Sequence, residues 1–136
     1  MNQREIERWE NEFDALLEEG LRLFRETPSA DQVIVLKTAK ENTYHIVNHN
    51  VYSGDYSDEE ALIQTLVDNG DTQVLRLVCL HSLRTVGVTT WNLSQQLRRI
   101  DQRNFETEVL LHGLQRQGYY SKTLRQLLPP SKEQVI

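Results

Sequence analysis

The stretch HIVNHNVYSGDYSDEE, residues 45–60, gathers most of the residue types that do chemistry in this chain. Two histidines, His45 and His49, stand four apart. Alternating Tyr44, Ile46, Asn48 against His45, Val47, His49 reads as a strand, on which positions i and i+4 share a face but lie roughly 13 Å apart. That is too far for one metal ion. The intervening residues, Ile46, Val47 and Asn48, supply no acid of the H-E-x-x-H kind. Ser53, His49 and Asp55 can be written as a nucleophile triad, but no G-x-S-x-G elbow accompanies them. Ser53-Gly54-Asp55 is ordinary turn chemistry, with the serine and aspartate bonding local backbone and the glycine allowing a positive φ.

The acids that follow read as the start of a helix. Ser57 and Glu60 make an S-x-x-E capping box. Asp58 and Glu59 put negative charge where the helix dipole favours it. Ala61, Leu62 and Leu66, with Ile63, supply its buried face, and Asn69-Gly70 is a left-handed stop. On this reading the run of acids is solvated, and no residue is assigned a catalytic role. Glycine-rich phosphate loops are absent. The sequence holds one cysteine, Cys79, in the apolar run VLRLVCL. It reads as a buried small side chain, and no multi-cysteine metal site can form within one chain. No metal and no cofactor are expected.

A basic set lies further on: Arg98, Arg99, Arg103, Arg116, Lys122 and Arg125, with Tyr119 and Tyr120 beside it. Guanidinium forks suit phosphate, and aromatic faces stack bases. With Trp91 and Asn92, these residues define an expected site for an anionic, nucleotide-like small molecule. The charge asymmetry suits an anionic ligand on the basic half, attraction between the halves within or between subunits, or an ordinary solvated surface. Residues 1–72 hold 16 acids and 6 bases, and residues 73–136 hold 4 acids and 9 bases. The chain as a whole is at −5, which disfavours duplex nucleic acid as partner.

These residues need a scaffold. Residues 4–26 form an amphipathic helix, with Ile6, Trp9, Phe13, Leu16, Leu17, Leu21 and Phe24 recurring at three and four. Thr27-Pro28 ends it. Trp9, Phe13, Leu16, Leu17 and Phe24 cover the other face of the chain's own sheet or form an interface with a second copy. QVIVLKT (32–38) is a strand covered on both faces, AKEN (39–42) a hairpin loop, and 43–51 the returning strand. QVLRLVCLHS (73–82) is a third strand. Thr90 or Asn92 caps a helix to about Asp101. Glu108–Leu111 and Tyr119–Leu127 are the last strands. The organisation is thus an N-terminal helix (1–28), an α+β domain (29–130) with a mainly antiparallel sheet and two short helices on it, and a tail (131–136).

No apolar run approaches the roughly 20 residues of a membrane span. The charged start MNQREIERWENEF lacks a signal-peptide core, so a cytoplasmic setting is expected. The resulting expectation is a non-catalytic binding protein, not an enzyme: a homo-oligomer that takes the anionic ligand. One alternative is an inhibitor or regulator that binds another protein through its acidic half and N-terminal helix. The other is a small acid–base enzyme using His45, His49, Asp55, His81 or His112.

Overall fold

A computed structural model describes residues 3–49, 57–81, 88–113 and 119–127, with side chains for 13–49, 57–81, 92–111 and 123–126. The elements run α1 (Gln3–Glu26), β1 (Gln32–Thr38), β2 (Thr43–Asn48), α2 (Ser57–Asp68), β3 (Val74–His81) and α3 (Val88–Ile100). A 3-10 turn (Gln102–Glu106), β4 (Glu108–Gly113), β5 (Tyr119–Thr123) and a short α4 (Leu124–Leu127) follow. The strands form one sheet in the order β2-β1-β3-β4-β5. The fold is α+β. Every pairing is antiparallel except β3–β4, which α3 crosses to connect.

Alternation explains the apolar runs. On β1, Val33 and Val35 face α1, while Ile34 and Leu36 face α2 and α3. On β3, Val78 and Leu80 oppose Leu77 and Cys79 in the same way. Both strands are covered on both sides, as their sequences require. On one face Phe13, Leu16, Leu23 and Phe24 of α1 pack against the sheet. On the other, Leu62, Leu66, Leu93 and Leu97 do so. Gly20 lets α1 come close: a Cβ there would lie 2.6 Å from Leu80 Cδ1.

Local chemistry sets the ends. Glu41 takes a positive φ of 65° in the β1–β2 turn. After α2, Gly70 at φ 61° allows Asp71 N to bond Leu66 O and Gly70 N to bond Val67 O, which closes the helix in a Schellman motif. Two expectations need correcting. Helix α3 starts at Val88, so Thr90 and Asn92 stand inside it and not at its cap. The last strand stops at Thr123, where Gln126 N donates to Thr123 Oγ1 and Thr123 N donates to Gln126 Oε1. That reciprocal T-x-x-Q box starts α4 and turns Leu124 into the core. Among the described residues no helix is long and apolar enough to cross a membrane.

Candidate functional site

One cross-strand row marks one end of the sheet. Gln32 opens β1 opposite Asn48 at the end of β2 and His81 at the end of β3, and His81 pairs with Gly113 at the end of β4. The helices α2 and α3 point their N-termini to this end, because their C-termini are tied to the other. There, Asp71 accepts from Asn42 Nδ2 at 2.9 Å and from Tyr44 Oη at 3.0 Å. Asn104 Nδ2 donates to Leu97 O and Thr72 O while its Oδ1 accepts from Val74 N. In sheets with parallel pairs and helical crossovers, ligands bind outside the carboxyl ends of the strands. Here that end carries the buried Gln32, Asn48, Glu59 and His81.

The first group is a pair. Glu59, in the first turn of α2, is fully buried. Its Oε2 accepts from Asn92 Nδ2 of α3 at 2.7 Å. Its Oε1 has no hydrogen-bond partner among the described residues. Burial pushes the Glu59 carboxyl up to about 7, opposed by the Asn92 hydrogen bond and assisted by Asp58 and Glu60 beside it. A carboxyl poised there can give or take a proton at neutral pH.

The second group is a buried chain. Asn48 Nδ2 donates to Gln32 Oε1 at 2.7 Å, Gln32 Nε2 donates to Cys79 Sγ at 3.4 Å, and Cys79 Sγ lies 3.1 Å from His81 Nε2. Burial pushes His81 down to about 4, so its imidazole is neutral. All four residues project towards the α2–α3 side, on the parity of Ile34, Ile46 and Leu77.

The residues singled out from sequence fall elsewhere. His45 is exposed on β2 and lines an open groove of about 440 Å3 between that edge strand and α2. His49 is exposed, with Nδ1 3.3 Å from Ser29 Oγ. Arg98 and Arg125 do converge, but on Phe105, with guanidinium carbons 5.3 and 4.7 Å from the ring centroid. Arg125 also bonds Glu106. Arg103 is taken up by Asp101, whose carboxyl it holds down at about 2. Arg99 is exposed. Phe13, Leu16 and Phe24 are buried against the chain's own sheet, and Leu17 is packed at their margin. Ser53, Asp55 and Arg116 lie outside the described residues, as do the side chains of Trp9, Trp91, His112, Tyr119, Tyr120 and Lys122.

Glu59 is the residue that the sequence reading passed over. The signal was present: 59, 62 and 66 are spaced three and four, so the buried stripe of α2 extends one turn back into the acids.

No protein-family model matches the chain, and no curated protein matches it. Among solved structures, the fold is similar to the 1.6 Å crystal structure of cytidine deaminase from Burkholderia pseudomallei. The likeness has a TM-score of 0.64 at 16% identity and covers 87% of this chain and 97% of that one. At that identity it shows the fold, and this is a fold that an enzyme uses. The expectation of a non-catalytic binding protein for an anionic molecule, and with it the expectation that the chain is not an enzyme, is corrected on this ground. Of the arginines of the expected site, Arg98 and Arg125 lie over Phe105, Arg125 also bonds Glu106, and Arg103 bonds Asp101.

Nucleobase deaminases hold zinc through an H-x-E…P-C-x-x-C pattern, in which the glutamate is the acid–base group and not a ligand. In this chain Ser57 stands two residues before Glu59. Cys79 is the one cysteine, and the three prolines are Pro28, Pro129 and Pro130. Among the described residues no three His, Cys, Asp or Glu side chains are grouped to hold a metal ion. The donor set does not fit zinc.

Proposed function

We propose that the chain is a small enzyme in which Glu59 transfers a proton to or from a nitrogen-bearing heterocycle bound at the carboxyl ends of β2–β4. The observation that carries this reading is the buried Glu59, with its carboxyl at about 7, one oxygen held by Asn92 and the other buried without a hydrogen-bond partner among the described residues. The likeness to a cytidine deaminase supports the substrate class. Of the two acid–base assignments, carboxyl or histidine, the carboxyl is favoured. His81 is buried and neutral, and His45 and His49 are exposed. An exposed histidine lacks the dry surroundings that make proton transfer efficient.

The test is incubation of the wild type and Glu59→Gln with cytidine and a panel of nucleosides and free bases, followed by NMR. Conversion of one compound by the wild type, lost in Glu59→Gln, is the expected result. If no compound is converted and none shifts the wild-type spectrum, the reading fails. A cytoplasmic setting and self-association are separate proposals. The first rests on the single buried cysteine, and sedimentation velocity tests the second.

A further inference from the structure

We infer that the Asn92–Glu59 hydrogen bond does in this chain the joining that zinc does between the two motif halves of a deaminase, so that the site is assembled without metal. The inference uses the Glu59 site but does not require it to turn anything over.

Three observations carry it. First, the substitutions are concerted. The position two before Glu59 is Ser57, and no cysteine follows Cys79. A single lost ligand can be replaced by water, but the loss of the whole set leaves nothing to bind the ion. Second, the two segments that the motif halves would occupy are bridged directly. Asn92 of α3 reaches Glu59 of α2 at 2.7 Å; the carboxyl is fully buried and the amide half-buried. Hydrogen bonds to a buried carboxyl are strong because the alternative is an unpaired group in a low-dielectric interior. Third, the nearby polar interior is built from neutral partners. Asn48, Gln32, Cys79 and His81 satisfy one another in a chain, which occupies the one thiol and the one buried imidazole described. Zinc takes several ligands, and this chain offers one thiol and one neutral imidazole that already face each other at 3.1 Å.

The experiment uses the full chain, purified without a metal-binding tag. Elemental analysis by mass spectrometry should find zinc far below one ion per chain, and neither chelator nor added zinc should move the melting temperature. Asn92→Leu should lower the melting temperature by about 4 °C or more. Glu59→Leu combined with Asn92→Leu should lower it by less than the two single changes together, because both remove one interaction. Zinc near one ion per chain, with melting lowered by its removal, would overturn the inference. So would strict additivity of the two substitutions. Zinc together with Glu59-dependent conversion would sink this inference and leave the proposed enzyme standing. Metal-free protein that converts nothing would do the reverse.

Discussion

Asn92 Nδ2 and Glu59 Oε2 meet at 2.7 Å across two helices, 33 residues apart in the chain. The pair shows how the fold concentrates its unusual chemistry. Asn92 lies inside α3, where asparagine weakens a helix, and its amide is spent on a neighbour instead of on its own backbone. Glu59 lies where a helix start tolerates an acid, but it faces inward.

Stability should respond to pH through two opposing groups. Glu59 has a folded value of about 7 against 4.5 when unfolded, so between those values the folded chain holds more protons and stability falls as pH rises. His81 has a folded value of about 4 against 6.5, so there the unfolded chain holds more protons and stability rises with pH. Each contribution is about 3 kcal/mol in full, and in the wild type they offset over pH 4.5 to 6.5. Glu59→Gln should expose the His81 rise in chemical denaturation at stepped pH. A flat profile in that variant would refute the assignment.

Asn104 uses its whole side chain on backbone groups, two carbonyls and one N–H. Asn104→Leu takes this partner from Val74 N and Thr72 O, while Leu97 O keeps Asp101 N. The expected loss is about 3 kcal/mol or more, read as a lower denaturant midpoint. A loss below about 1 kcal/mol would show that these bonds do not hold the C-terminal end of α3.

Gly20→Ala pits two effects against each other. Alanine gains about 1 kcal/mol of helix propensity. Its Cβ would fall 2.6 Å from Leu80 Cδ1, and Leu80 is fully buried with little room to move. Overpacking costs about 1–3 kcal/mol, so a net destabilisation is expected, visible as a lower melting temperature. A stabilised variant would mean that α1 shifts freely on the sheet.

Charge reversal at both Arg98 and Arg125 should change stability by less than about 1 kcal/mol, because both stack on Phe105 near solvent. It should also leave conversion by the Glu59 site unchanged, measured in the same NMR assay. A lost activity would return these arginines to the site.

Much of the scaffold was legible. The β1 and β3 runs declare two covered faces, and the hairpin β1–β2 follows from a short loop between them. The capping box at Thr123 and Gln126 was equally readable but hidden by an apparent alternation through Tyr119–Leu127. The site was harder. Asp58, Glu59 and Glu60 have the same local justification at a helix start, and what separates Glu59 is a face shared with Leu62 and Leu66. Its partner, Asn92, comes from a helix whose start was placed too late, which made the amide look committed to a cap. Three of the arginines have neighbours that type and proximity alone do not show. Phe105, Glu106 and Asp101 sit between them in sequence and take up their charge and faces in space.

The order in which such a chain assembles follows from its one parallel pairing. Lys37 meets Thr43 across a tight turn, whereas Arg76 must find Glu108 and Gln32 must find His81 across whole helices. Loop closure makes such distant partners the slower ones to meet. The β1–β2 ribbon is therefore free to form early, and the row that contains Gln32, His81 and Gly113 closes only when the crossover is complete. A nascent chain would carry Glu59 exposed, ionised and soluble until α3 arrives with Asn92. The desolvation of Glu59 is thus coupled to the docking of α2 against α3.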